Sequence, residues 1–298
     1  SGGQVGDTGT ITPQDGSFVL NVENAHDYIG IGRVHLAVIK EGIFSADALV
    51  AAPARLAIDM DRRTSIRRNH SATHLLQAGL RSVLGTHVRQ SGSSVDPERL
   101  RFDFNHFSGL TPEEMEEVER FVTLAVMADH QVDCIETTLE KARAMGAMSL
   151  FEEKYGDVVR LVRMGDVSME LCGGTHVKRT GEIGPFRILS ESSVAAGIRR
   201  IEAATGIHAY ETIRREHAAL SGLSRIFNAS PEDMAERAEA LSSKVRDLEK
   251  QVRKLKSGGG TASGTDILAG MTKVNGVSVA CGRQDVSDVD ELKTLADA

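Results

Sequence analysis

Two histidines four positions apart, His70 and His74 in RRNHSATHLLQ, and the run Cys172-Gly-Gly-Thr-His176 set the tightest requirement on how this chain folds. An i, i+4 pair on a helix projects both imidazoles from one face. In SMELCGGTHV a strand ends at Cys172, two glycines turn the backbone, and His176 follows. Three imidazoles and one thiolate suit a tetrahedral Zn²⁺, and the glycines let the loop bring both its side chains to one ion. The other reading is four polar groups lining a pocket and hydrogen-bonding a substrate. Metalloprotease helices carry a glutamate beside the first histidine to activate water. Ser71 stands there instead, so the pattern is not built for peptidase chemistry. Four protein ligands make a closed structural site unless one yields to substrate.

The surrounding composition is that of a soluble globular protein larger than one ordinary domain, with 41% apolar and 26% charged residues among 298. No apolar run approaches the length of a membrane span, and the N-terminus SGGQVGDTGT lacks the basic and apolar regions of a signal peptide. Cys134, Cys172 and Cys281 are too scattered for a disulfide framework and point to a reducing compartment, the cytoplasm. A net charge of −7 argues against nonspecific coating of nucleic acid. Arginines nevertheless cluster at Arg62, Arg63, Arg67 and Arg68, at Arg199 and Arg200, and at Arg214 and Arg215. They suit phosphate contacts at chosen points, or plain solvated faces.

The expected class is α+β. Residues 1–60 read as a small β-barrel-like subdomain or curled sheet, from short apolar runs punctuated by Gly, Asp, Asn and Pro. The opening glycines lack the lysine spacing and following helix of a phosphate loop. Residues 61–205 read as an α+β domain. A helix is expected over about Ser65 to Leu84, and a strand at ERLRFDF with Leu100, Phe102 and Phe104 on one side. A second helix opens at Thr111-Pro112-Glu113-Glu114. Further strands are expected at VDCIETT, DVVRLVRM, SMELC, GPFRILS and IRRIEA, without the rhythm of a doubly wound nucleotide fold. Residues 206–257 read as a helical hairpin or coiled coil. Met234, Ala238, Leu241, Val245, Leu248, Val252 and Leu255 form a seam that needs covering, by the preceding helix or by a second chain. Residues 258–298 contain strand-like MTKVNGVSVA and end inside ELKTLADA, too short for a core of their own, so the chain is expected to be truncated.

HSATHLLQAGLRSVLGTHVRQSGSSV, LRFDFNHF and KARAMGAMSLFEEKYGDVVRLVRMGDVSMELCGGTHV together resemble the editing domain of bacterial alanyl-tRNA synthetases. SGGQVGDTG resembles the entry to that domain, and GIRRIEAATG with the coiled coil resembles the start of the C-terminal region. The resemblance implies a zinc-containing editing domain that hydrolyses the ester of seryl- or glycyl-tRNA(Ala), recognised at its acceptor end. An ester is already activated, so positioning a water and stabilising an oxyanion suffice without a strong base. Thr73, between the paired histidines, is a candidate for reading the serine hydroxyl or holding water; the plain alternative is a helix threonine bonded to its own backbone. Gln90 and Ser93, in VRQSGSS, resemble pocket-lining positions that orient water or the ester carbonyl. Arg199 and Arg200 resemble positions near the acceptor stem; neighbours on a strand point oppositely, and Arg199 is favoured. Asp103 orients a neighbouring arginine or makes a simple surface pair. No part of the chain resembles the aminoacylation core, so ATP and alanine belong to a longer enzyme, and this chain carries no nucleotide cofactor site. Competing readings are a non-catalytic tRNA-binding module with structural zinc, a zinc peptidase or amidase, and a free-standing editing factor.

Overall fold

The computed structural model describes residues 3–28, 31–51, 53–147, 158–259 and 271–279, with Val289 and Lys293. The chain divides into two units, residues 1–216 and 217–298.

The first unit opens with β1 (Gly9–Pro13), β2 (Phe18–Tyr28), β3 (Gly32–Gly42), helix α1 (Ala46–Ala51) and β4 (Ala54–Ile58). The strands pair antiparallel in the order β3-β2-β1-β4. The barrel-like subdomain expected here is instead an open sheet, with β3 and β4 as its edges. Four strands give too small a circumference to close around packed side chains. Phe18, Leu20 and Val22 of β2 are buried, whereas Val34, Leu36 and Val38 of β3 are exposed.

Helix α2 (Met60–Leu84) starts earlier than its apolar pattern suggests, because Asp59 caps it by accepting from the Arg62 N–H at 3.0 Å. Arg62 and Arg63 point back to the N-terminal segment. The first donates to the Gly6 carbonyl at 2.8 Å, and the second pairs with Asp7. From Asn69 to Gln77 every residue of α2 is buried, so this helix is enclosed rather than laid on a surface.

Around α2 follow β5 (Gln90–Val95), β6 (Leu100–Asn105), α3 (Pro112–Met127), β7 (Val132–Thr138), α4 (Leu139–Ala144), β8 (Val158–Met164), β9 (Ser168–Leu171), β10 (Phe186–Ala195) and β11 (Ile198–Thr205). They form two antiparallel sheets, β10-β11-β6-β5 and β7-β8-β9. Mixed helices and antiparallel sheets match the expected α+β class. Leu100, Phe102 and Phe104 point into the core with Leu75, Leu76 and Leu80 of α2 and Val118 and Val122 of α3. Thr111 and Glu114 cap α3 reciprocally, at 3.2 and 2.8 Å. Asn69 ties α2 to the β5–β6 turn and to β11, through the Asp96 carbonyl at 2.8 Å and the Thr205 hydroxyl at 2.6 Å.

Helix α5 (Gly206–Phe227) and helix α6 (Met234–Gly259) follow. Ser230 and Asp233 form the turn that leads into α6, with the Ser230 hydroxyl donating to the Asp233 carboxylate at 2.7 Å. Leu241, Val245, Leu248 and Val252 are each about half-exposed and Leu255 is 76% exposed, so among the described residues the heptad seam is only partly covered. A short hairpin, β12 (Thr272–Val274) and β13 (Val277–Val279), turns at Asn275-Gly276 with positive φ at both residues. Residues 148–157, Cys281 and most of ELKTLADA lie outside the described residues.

Candidate metal centre

Helix α2 and the loop after β9 bring His70, His74, Cys172 and His176 together, with one ligand atom from each lying within 4.8 Å of all the others. The three histidines are at most 8% exposed. Cys172 Sγ stands 3.4 Å from His70 Nε2 and 3.4 Å from His176 Nε2. A tetrahedral Zn²⁺ with ordinary bond lengths separates a sulfur and a nitrogen ligand by about 3.5 Å. His74 Nε2 is buried and makes no hydrogen bond within the protein, an orphaned polar atom of the kind that a bound ion satisfies. These four donors can hold one metal ion.

Each imidazole turns Nε2 inward and is held from outside through Nδ1. The Gln4 Oε1 lies 2.7 Å from His70 Nδ1, Glu170 Oε2 lies 2.7 Å from His74 Nδ1, and the Ser71 hydroxyl lies 3.2 Å from His176 Nδ1. The Ser168 hydroxyl donates to the other Glu170 oxygen at 3.0 Å. Such outer partners fix ring orientation and tautomer at metal sites. Glu170 sits two positions before Cys172 on an extended strand, so both face the same side. That spacing was a usable signal for Glu170, whereas nothing in SGGQVGDTG marks Gln4.

Electrostatics follow the same plan. Burial opposes a charged His74, but the Glu170 carboxylate and Cys172 outweigh it and raise its pKa to about 10. Burial also opposes a charged Cys172, yet the imidazoles of His176, His70 and His74 around it bring its pKa down to about 2. Burial pushes His176 down to about 3. A thiolate and a buried carboxylate thus bring two negative charges to the cluster, which a divalent cation balances.

Gly174 makes the loop possible. A Cβ there would stand 1.9 Å from Cε1 of His70, so the backbone approaches the ring as only glycine permits. Arg160 of β8 donates to the Gly174 carbonyl and holds the loop from the other side.

The sequence profile of the threonyl and alanyl tRNA synthetase second additional domain matches residues 159–202, which include Cys172 and His176. Over 297 residues the chain is 45% identical to the alanine–tRNA ligase of Hydrogenovibrio crunogenus, and over 300 and 302 residues it is 42% identical to those of Acetivibrio thermocellus and Pelotomaculum thermopropionicum. Along its whole length the sequence is similar to a segment of these alanine–tRNA ligases. The chain spans about a third of the length of these curated relatives. No helix among the described residues is long and apolar enough to cross a membrane.

The remaining positions suggested by the synthetase resemblance fall as follows. Thr73 is 5% exposed, and its hydroxyl donates to the Asn69 carbonyl at 2.9 Å, leaving the oxygen lone pairs as acceptors. Gln90 and Ser93 meet on β5, with Gln90 Nε2 donating to Ser93 Oγ at 3.0 Å. Arg199 and Arg200 lie on β11, each gripped by a carboxylate. Glu191 of β10 takes both Arg199 nitrogens, and Asp103 of β6 takes Arg200 Nε at 2.7 Å and Nη2 at 2.9 Å. Asp103 therefore does orient an arginine, and at 8% exposure it is buried rather than a surface partner.

Proposed function

We propose that this synthetase segment hydrolyses the ester of mischarged seryl- or glycyl-tRNA(Ala), with Zn²⁺ held by His70, His74, Cys172 and His176. The observation that carries the reading is the complete four-donor cluster in a chain matched over its whole length by alanine–tRNA ligases. Zn²⁺ bound there supplies a fixed positive charge that organises the pocket. Peptidase chemistry finds no support. Ser71 occupies the position a catalytic glutamate would need and is turned to His176, and Glu170 is engaged by His74 and Ser168.

The residues of the chain then do modest work on an already activated ester. Gln90, with an amide that both donates and accepts, orients water or the ester carbonyl, and Ser93 sets the direction of that amide. The Thr73 oxygen accepts a hydrogen bond from the serine hydroxyl of the substrate. The tRNA acceptor end is the partner this chemistry requires.

A second reading has a specific observation in its favour. Four protein donors fill a tetrahedron and leave no open position, as in structural zinc sites. On that reading the segment binds tRNA without hydrolysis. Incubating the chain with seryl-tRNA(Ala) separates the two. Release of serine that falls at least tenfold in Gln90→Ala supports deacylation, and no release by the wild-type chain establishes the binding module.

A further inference from the structure

The first residues of the chain reach a site whose ligands lie far along it. Gln4 forms an isolated parallel bridge with Val95 at the end of β5. The backbone on either side of it is fastened there, with Val5 N–H donating to the Val95 carbonyl at 3.0 Å and Val95 N–H to the Gly3 carbonyl at 2.9 Å. Gly3 has φ of 81°, and a Cβ on it would collide with the Ser93 carbonyl, so the segment lies against β5 as closely as backbone allows. Two residues later Arg62 and Arg63 of α2 grip Gly6 and Asp7. This is a built clamp, and the side chain it delivers is the Gln4 carboxamide.

The orientation of that carboxamide is fixed by chemistry. The backbone N–H of Thr175 can only donate, and it meets Gln4 Oε1 at 2.9 Å; the Thr175 hydroxyl donates to the same oxygen at 3.2 Å. The atom facing His70 Nδ1 at 2.7 Å is therefore an acceptor, and Nδ1 must carry the proton. In the neutral ring this leaves the Nε2 lone pair turned toward Cys172 Sγ. One oxygen thus joins the ligand helix, through His70, to the ligand loop, through Thr175.

We propose that Gln4 is a positioning residue of the metal centre: it locks His70 in the metal-binding tautomer and holds the Cys172–His176 loop against α2. The proposal rests on the metal reading above and extends it to a residue 66 positions from the nearest ligand. Without the carboxamide, His70 is free to exchange tautomers and rotate, and the loop loses two of its anchoring bonds. Outer partners of this kind typically contribute about 10–100-fold in metal affinity.

The test uses the full chain and zinc alone, with affinity measured by competition against a chromogenic chelator, and with the visible absorption of bound Co²⁺ as a second readout. Gln4→Ala is expected to bind zinc about 10–100-fold more weakly and to give altered Co²⁺ bands. Gln4→Glu keeps an acceptor at the same reach and is expected to restore both affinity and spectrum. If the two variants bind alike, both well or both poorly, the hydrogen bond is not what matters and the proposal falls. If the wild-type chain takes up no zinc, the proposal falls with the metal reading. If it takes up zinc, follows this pattern and releases no serine from seryl-tRNA, deacylation alone is refuted.

Discussion

Ser71 and His176 meet across 105 positions of sequence, with the serine hydroxyl 3.2 Å from Nδ1 of the imidazole. The same hydroxyl accepts from the Val177 N–H at 3.2 Å, so one small side chain serves both the ring and the backbone of the ligand loop. Ser71→Ala leaves a buried N–H and a buried ring nitrogen without partners. The expected cost is about 1–3 kcal/mol of stability and roughly tenfold in zinc affinity, read by denaturant unfolding and chelator competition. Ser71→Glu is expected to give no peptidase activity, because a longer side chain at a fully buried position drives the loop off the helix. Peptide hydrolysis by that variant would contradict the site as described.

Gly174→Ala is a sharper test of the loop. Its new methyl group would overlap the His70 ring, with Cε1 at 1.9 Å and Nδ1 at 2.3 Å. Either His70 or the loop must move, and both belong to the ligand set. Zinc content after dialysis is expected to fall below half an ion per chain, while far-UV circular dichroism keeps its helical signal from α5 and α6. Full zinc occupancy would show that the loop tolerates a rearrangement the geometry does not suggest.

The arginines of β11 lead to a prediction about salt. Each neutralised phosphate contact steepens the salt dependence of nucleic-acid binding, and losing one such contact lowers the slope by about one. Arg199 and Arg200 are already engaged by Glu191 and Asp103. Arg199→Ala and Arg200→Ala are therefore expected to lower the melting temperature and to leave the salt slope of tRNA binding unchanged. A slope reduced by about one in either variant would identify that residue as a phosphate contact.

His106 gives the fold a pH dependence of known sign. It is buried, its Nδ1 lies 3.1 Å from His87 Nε2, and Glu114, Glu191 and Arg199 also act on it. Burial first, and then the His87 charge, lower its pKa in the folded chain. The unfolded chain takes up this proton near the ordinary histidine value of about 6.5, and the folded chain only at lower pH. Between those two values the unfolded state binds more protons, so stability is lost as pH falls through that window. His106→Asn is expected to narrow the drop in melting temperature between neutral and mildly acidic buffer. An unchanged drop would assign the pH dependence elsewhere.

Much of the ligand geometry was legible because it depends on local periodicity. Four-residue spacing puts His70 and His74 on one face of any helix, and the strand-end glycines allow Cys172 and His176 to share a centre. The inward set of Leu100, Phe102 and Phe104 and the reciprocal cap of Thr111 and Glu114 were legible for the same reason. Closure of the first sheet was not, because whether β3 meets β4 is decided by long-range pairing and not by the alternation within either strand. The heptad seam announced itself from Met234 to Leu255, but what covers a seam is a property of a partner surface. Gln4 was invisible because a lone glutamine carries no periodic signal, and its partners His70 and Thr175 are brought to it only by the finished fold.

The centre draws on residues from position 4 to position 176 of the chain. During synthesis these donors cannot come together until His176 has been made, long after Gln4. An ion held by these four donors would therefore be captured late, after closure of the long loop between Gln4 and Thr175. A chain with an ion trapped there would, by that fact, have brought Gln4 and His176 into register.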